Sequence, residues 1–275
     1  MNNKILILGG TGTVGAEVAK YLHKQGRDYV LGLRSSSEHQ ALRVELDYAD
    51  EATFAPALEG VTGIFMITPG FVTGIEAAFK KLIQAAEKSA VQHIVYSSVI
   101  GADANPDGTH RQIELALEAS TVPHTILRPN FYMQNFITYE ADNTKQGRIF
   151  LPTDDGKTSY IDVRDIAHAF DAVLYQEAHH GKAYTLTGSE ALNNTEIAQI
   201  FAATTGQPFE NVNPSEAKYE QTLLSYGVPQ GVVEASKSLY SYIRSGYMGA
   251  VSNDFEALTG KPPIAIQTFA KDLVH

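Results

Sequence analysis

The feature that most constrains this chain lies near its N-terminus, where four apolar residues, Ile5-Leu6-Ile7-Leu8, run straight into Gly9-Gly10-Thr11-Gly12-Thr13-Val14-Gly15. An unbroken apolar run of this length reads as a strand buried on both faces, as in a parallel sheet covered by helices. Three glycines at G-x-x-G-x-x-G spacing let the backbone turn sharply into a helix. The amides left unpaired at the start of that helix, together with its dipole, favour an anion. The spacing assigns Gly9 to the turn, Gly12 to the close approach of a dinucleotide pyrophosphate, and Gly15 to packing of the helix on the strand. Gly10, Thr11, Thr13 and Val14 complete the turn. Ala16 to Leu22 then continue as an amphipathic helix that stops near Gly26, so the glycines sit in a strand-turn-helix context.

Tyr29-Val30-Leu31-Gly32-Leu33 reads as the second strand, followed at once by Arg34 and Ser35-Ser36-Ser37. A site selective for NAD places a carboxylate here, about 20 residues past the glycines, to accept from the ribose 2′-hydroxyl. A guanidinium pairs instead with a 2′-phosphate, and neighbouring hydroxyls can donate to it. The expected cofactor is NADPH/NADP in preference to NAD. Residues 44–47 read as a short third strand ending in Asp47, which either meets the adenine amino group or caps the next turn. Residues 63–67 form the fourth strand. Ile67, Thr68 and Pro69 at its end should lie along the cofactor ribose, because ligands of doubly wound sheets sit at the carboxyl ends of strands.

Apolar periodicity predicts helices over 51–58, 74–89 and 111–120, strands over 92–96 and 124–128, and a helix over 131–146. Repeated βα units call for a parallel sheet with helices on both faces. After Gly147 the rhythm changes to short strands at 148–151, 159–163 and 183–186, with a helix over 166–175. A capping box at Asn193-Asn194-Thr195-Glu196 starts a helix ending at Gly206, and three further short helical stretches follow. The expected fold class is α/β, a Rossmann-type doubly wound parallel sheet with a smaller, mainly helical C-terminal substrate region. The expected division is 1–150 for cofactor and 151–275 for substrate, with about 159–187 returning to the first domain.

Of the 275 residues, 44% are hydrophobic and 19% charged, enough apolar material for a full core. A net charge of −10 without a Lys/Arg cluster argues against nucleic-acid and anionic-membrane partners. The absence of cysteine excludes thiolate chemistry and agrees with a reducing compartment. The apolar run after Lys4 is too short for a signal peptide or membrane span, so a cytoplasmic protein is expected. The nine histidines are scattered, and His179-His180 lacks supporting ligand spacing, so no metal is inferred.

Several segments together resemble the NmrA-like kind of atypical short-chain dehydrogenase/reductase. They are Gly9 to Gly15, Val95-Tyr96-Ser97-Ser98, His110 to Glu114, Thr125-Ile126-Leu127-Arg128-Pro129-Asn130-Phe131-Tyr132, Tyr160 to Ala167, and Asn253 to Asp272. Within that superfamily the chain is most similar to bacterial NAD(P)H quinone oxidoreductases and triphenylmethane and azo dye reductases. The resemblance implies a cofactor site that also draws on Ser97, Pro129 and Asn130. Most of the superfamily reduces carbonyls with a Tyr-x-x-x-Lys pair. Here no tyrosine stands between Tyr96 and Tyr132 and no lysine between Lys88 and Lys145. Alignment through His110 to Glu114 puts Thr109 where relatives carry the lysine and Asn105 near the tyrosine position.

Hydride addition to a simple ketone leaves a strongly basic alkoxide, for which a positioned acid is worth about 10²–10⁴-fold. A quinone gives a delocalised, weakly basic anion that solvent can protonate, so orientation suffices. The chain therefore reads as an NADPH-dependent reductase of a small quinone or electron-poor aromatic. Ser97, His110 and Tyr132 are the candidate polar contacts to substrate. Each has a structural alternative: Ser97 bonding only the cofactor, His110 capping its helix, Tyr132 packing in the core. The competing reading is a noncatalytic NADP(H) sensor with a regulated protein partner, and a nucleotide-sugar epimerase ranks third because it needs the missing acid/base. A homodimer is compatible with the sequence.

Overall fold

In the computed structural model, which describes residues 3–34, 42–70, 72 and 74–274, the side chains of Ile5, Leu6, Ile7 and Leu8 are all fully buried in β1 (Lys4–Leu8). The chain continues through α1 (Thr13–Lys24), β2 (Tyr29–Leu33), β3 (Arg43–Glu45), α2 (Phe54–Ala57), β4 (Val61–Ile67), α3 (Ile75–Ala86), β5 (His93–Ser97), α4 (Thr109–Glu118) and β6 (His124–Pro129). Then come α5 (Ala141–Lys145), β7 (Arg148–Ile149), α6 (Val163–Val173), β8 (Lys182–Leu186), α7 (Asn194–Thr205) and β9 (Glu210–Asn211). The last helices are α8 (Glu216–Ser225), α9 (Gln230–Arg244), α10 (Asp254–Thr259) and α11 (Ile266–Phe269). No described helix is long and apolar enough to cross a membrane.

Seven parallel strands form one sheet in the order β3-β2-β1-β4-β5-β6-β8. The order reverses between β1 and β4, which makes the carboxyl edge there the topological switch point where such sheets hold ligands. The doubly wound Rossmann-type class expected from the βα rhythm is thus the observed one.

The chain forms two compact units. The first comprises Met1–Pro129, Val163–Leu186 and Asp254–Gly260. Its strands alternate inward faces as the pleat requires. Leu6, Leu8, Ile64, Met66, Ile94 and Tyr96 share one core with Phe79, Leu82, Ile113 and Leu117 of α3 and α4. On the other face α1 packs on α6, and Phe65 meets Phe170 edge-on at 5.1 Å.

The second unit comprises Asn130–Asp162, Thr187–Asn253 and Lys261–His275. β7 and β9 pair in parallel, and Met133, Phe136, Ile149, Tyr160, Ile197, Phe201 and Phe269 form its core. The predicted capping box is present, with Asn193 Oδ1 accepting from the Glu196 amide and Glu196 Oε2 from the Asn193 amide.

This second unit is where the periodicity misled. The helix expected over 131–146 is broken, because Tyr132 is extended and bridges Ile161: the Ile161 amide donates to Phe131 O and the Met133 amide to Ile161 O. Only a 3₁₀ turn at Met133–Ile137 and the short α5 remain. The strand expected over 148–151 shortens to two residues, the length of its partner β9. No strand forms over 159–163: Thr158 and Ile161 make single bridges to Leu192 and Tyr132, and Val163 already opens α6. Nor are all the later helices short, since α9 runs 15 residues.

Glu140, just before α5, is only 9% exposed, and its Oε2 accepts from Asn143 Nδ2 at 3.1 Å. Burial raises its pKa from 4.5 to about 7, against the downward pull of the Asn143 bond. The unfolded chain releases this proton near its ordinary value while the folded protein keeps it, so the unfolded state binds fewer protons between the two. Stability from this group is therefore full below pH 4.5 and lost as pH rises through about 7, a swing on the order of 3 kcal/mol. Glu140→Gln should flatten the decline in urea-unfolding free energy across that window. An unchanged slope would show that the carboxyl titrates normally.

Candidate cofactor and substrate site

The glycine turn after β1 has the geometry its spacing demands. Gly9 lies at φ +64°, a left-handed conformation that favours glycine. The Gly12 amide donates to Gly9 O at 2.9 Å, closing the turn, and α1 begins with Gly12 as its N-cap. Its N-cap Gly12 has no side chain to cap α1 and the first turn holds no carboxylate, so the helix-start amides suit an exogenous anion. A Cβ at Gly15 would stand 2.2 Å from Gly9 O, so that position has no room for a side chain, while one at Gly10 would press on the mobile Cδ2 of Leu31 at 2.6 Å. At Gly12 the nearest described atom would be 3.3 Å away; here the missing side chain leaves an open approach beside exposed Thr11 and Thr13, while Val14 is buried beneath. The cradle therefore fits the pyrophosphate of a nicotinamide dinucleotide.

Because the strands are parallel, the other predicted contacts of this unit leave the same carboxyl edge. Arg34 is exposed directly after β2; Ser35, Ser36 and Ser37 lie outside the described residues. Ile67 ends β4 close to the glycine turn, such that a Cβ on Gly9 would be 2.9 Å from its Cγ2, and Thr68 and exposed Pro69 follow. Asp47 uses Oδ1 to accept from the Ala49 amide at 2.9 Å, a turn-capping bond that occupies one of its two carboxylate oxygens. Pro129 ends β6, and its carbonyl accepts from the Ile100 amide.

Ser97 ends β5 with its side chain fully buried, and its Oγ has no hydrogen-bond partner among the described residues. A buried hydroxyl without a partner is a costly feature, and here it stands at the end of a strand, on the ligand edge of the sheet, with its hydrogen-bonding capacity unused. Next to it in sequence, Tyr96 Oη lies 2.9 Å from His110 Nδ1, with the rings near-parallel at 25°. His110 does not cap α4: the N-cap is Gly108, and the His110 ring bonds Tyr96 instead. Burial lowers the His110 pKa below its ordinary 6.5, against the raising effect of Glu114, so the ring is neutral at pH 7.

The sheet also gathers a cluster that spacing alone does not announce. Fully buried Glu114 accepts from Ser98 Oγ at 2.7 Å, from Arg128 Nε and Nη2 at 3.0 and 2.8 Å, and from Arg111 Nη1 at 3.0 Å. Burial pushes its carboxyl up, but the bonds from Arg128, Ser98 and Arg111 outweigh it and hold the pKa below 4.5. The network ties α4 to the ends of β5 and β6. Of the positions aligned with the missing acid pair, Asn105 is exposed, its carbonyl accepting from the Gly108 amide, and Thr109 opens α4.

Two predicted residues belong to the second unit. Asn130 is engaged there, its Nδ2 donating to Ser159 Oγ and Met248 O and its Oδ1 accepting from the Phe131 amide. Tyr132 is half-buried in the bridge to Ile161. Among the described residues no group of three or more His, Cys, Asp or Glu is disposed to hold a metal.

Residues 1–255 match the NmrA-like family. The chain belongs to that family. Among its relatives, the NAD(P)H azoreductase of Xenophilus azovorans is 29% identical, over 97% of this chain and 96% of that protein. Quinone oxidoreductase 2 of Escherichia coli (strain K12) is 30% identical over 84% of each. The structure of an E. coli NADPH-dependent quinone oxidoreductase complexed with NADPH superposes with a TM-score of 0.86 at 28% identity, covering 98% of this chain and 100% of the other.

Sequence reasoning about this NmrA-like chain missed Tyr96 and the Glu114 cluster. Tyr96 reads simply as the last apolar residue of a strand, and Glu114 as one more polar position on a helix. The usable signal was Glu114 itself, on the face of α4 that carries Ile113 and Leu117 inward, where a carboxylate requires a partner.

Proposed function

We propose that this protein is an NADPH-dependent reductase whose acceptor is a quinone or a related electron-poor aromatic. Its kinship with the azoreductase and the quinone oxidoreductase makes it an NAD(P)H-dependent oxidoreductase in the broader sense. The observation that carries the finer reading is an uncapped glycine cradle, built for the cofactor, in a chain whose Tyr-x-x-x-Lys positions hold Asn105 and Thr109. The cofactor, when bound, supplies the hydride.

In this reading the amides of Gly10 to Gly15 hold the pyrophosphate, Arg34 pairs with the 2′-phosphate, and Asp47 reaches the adenine. Ile67, Thr68 and Pro69 line the ribose, and Ser97, Pro129 and Asn130 contact the nicotinamide half. His110 and Tyr132 are polar contacts for the acceptor. Orientation without a strong acid suits an acceptor whose reduced anion is delocalised, and disfavours a simple ketone.

Absorbance-monitored NADPH consumption against a panel of quinones, an azo dye, a triphenylmethane dye and an aldehyde tests the acceptor class. Turnover confined to quinones and dyes is expected. NADPH binding without turnover of any acceptor would replace the reductase with an NADP(H)-sensing regulator. For the cofactor, Arg34→Ala should weaken NADPH binding about tenfold or more, the loss of one charge-assisted contact, and leave NADH almost unaffected. Equal losses for both would remove Arg34 from the 2′-phosphate.

A further inference from the structure

We infer that Tyr96 is a positioning residue that holds His110 as a neutral imidazole with its proton on Nε2, presenting that N–H as a hydrogen-bond donor to an acceptor oxygen that gains charge during reduction. The second half rests on the reductase reading; the first stands on the protein alone.

Tyr96 is fully buried at the end of β5, and its Oη lies 2.9 Å from His110 Nδ1. The contact has two possible proton arrangements, and their chemistry is unequal. A phenol is a much stronger acid than a neutral imidazole N–H, and a ring nitrogen is a better acceptor than a phenol oxygen. The stable arrangement is therefore O–H···Nδ1, which leaves the imidazole proton on Nε2. Position reinforces neutrality. His110 is the second residue of α4, where the positive end of the helix dipole disfavours an imidazolium, and burial acts in the same direction. Glu114 opposes them from the same helix, but its charge is already shared with Arg128, Arg111 and Ser98.

The other end of the ring is available. His110 Nε2 forms no hydrogen bond with any other described residue. A neutral imidazole held this way can stabilise a developing oxyanion without giving up its proton. Reduction of a quinone then balances with the hydride, carrying both electrons, from NADPH and one proton from water. The products are hydroquinone and NADP⁺, and His110 is unchanged.

The test begins with nitrogen NMR of histidine-labelled wild-type protein without cofactor, with His110 assigned as the signal missing from His110→Gln. The expected result is Nδ1 unprotonated and Nε2 protonated. Tyr96→Phe, which removes only the oxygen, should give a mixture of tautomers. With a soluble benzoquinone it should lose about tenfold in kcat while NADPH affinity stays within about twofold, less than the loss of a whole oxyanion donor. His110→Gln, which keeps an N–H near the Nε2 position, should retain more kcat than His110→Ala. A protonated Nδ1 in the wild type, or an unchanged kcat in Tyr96→Phe, would overturn the inference; the wild-type spectrum decides even if Tyr96→Phe folds poorly. The expected tautomer in a wild type that turns over no acceptor would sink the reductase reading alone and leave the Tyr96–His110 pairing standing.

Discussion

Glu114→Ala is expected to destabilise the protein by about 3–5 kcal/mol, because removing one partner of a buried ion pair leaves the other charge uncompensated. The change strips Arg128, whose side chain is 13% exposed, of two hydrogen bonds and leaves it, among the described residues, with Asp103, itself 57% exposed. It also orphans the buried Ser98 hydroxyl. For a chain of this size the loss corresponds to a fall in Tm on the order of 10 °C, readable by calorimetry.

Glu118→Ala is the control on the same helix. Glu118 is exposed and its ion pair among the described residues is with Arg111, so its loss should stay within about 1 kcal/mol. Equal, small losses for both variants would show that the buried cluster contributes no more than a surface pair. The pH dependence has the opposite sign to that of Glu140. The folded protein holds the Glu114 carboxyl below 4.5, so its contribution is present above that pH and lost as pH falls through the lower, folded value.

Gly15→Ala should have the largest effect on the cofactor site. Its Cβ would lie 2.2 Å from Gly9 O and 2.6 Å from Gly9 C, and backbone atoms cannot swing aside as a flexible side chain can. Accommodating it means opening the turn, at a cost of about 1–3 kcal/mol or more in stability. NADPH affinity should fall at least about tenfold, since the amides that face the pyrophosphate move with the turn. Gly12→Ala separates the two effects. Its Cβ, 3.3 Å from Gly9 O, asks that carbonyl to shift by only a few tenths of an ångström but occupies the approach of the pyrophosphate, so binding should drop with a smaller change in Tm than in Gly15→Ala. Fluorescence titration with NADPH and thermal melts read both quantities. Undiminished binding by Gly15→Ala would mean that the dinucleotide sits elsewhere.

The first unit was largely legible because its signals are local. Ile5 to Leu8, Ile64 to Ile67 and Ile94 to Tyr96 are apolar runs whose burial follows from composition, and α3 shows its inward face as a repeat of Ile75, Phe79, Leu82 and Ile83. The second unit was less legible. Residues 131–146 carry apolar side chains at helical spacing, yet the backbone of Tyr132 is committed to Ile161, a partner that local periodicity cannot reveal.

The sequence alone determined the strand-turn-helix cradle, the doubly wound class and the absence of the Tyr-x-x-x-Lys pair. Each depends on residue type at short separation, where sterics and burial act directly. Only the tertiary structure decided that Ser97 is an orphaned buried hydroxyl, that Tyr96 meets His110, and that Glu114 gathers Ser98, Arg111 and Arg128. Those contacts arise because parallel pairing sets β5 beside β6 and apolar packing turns one face of α4 toward them. Polar groups enclosed in this way must bond whatever the fold brings within reach, and that neighbour is not encoded at any fixed spacing along the chain.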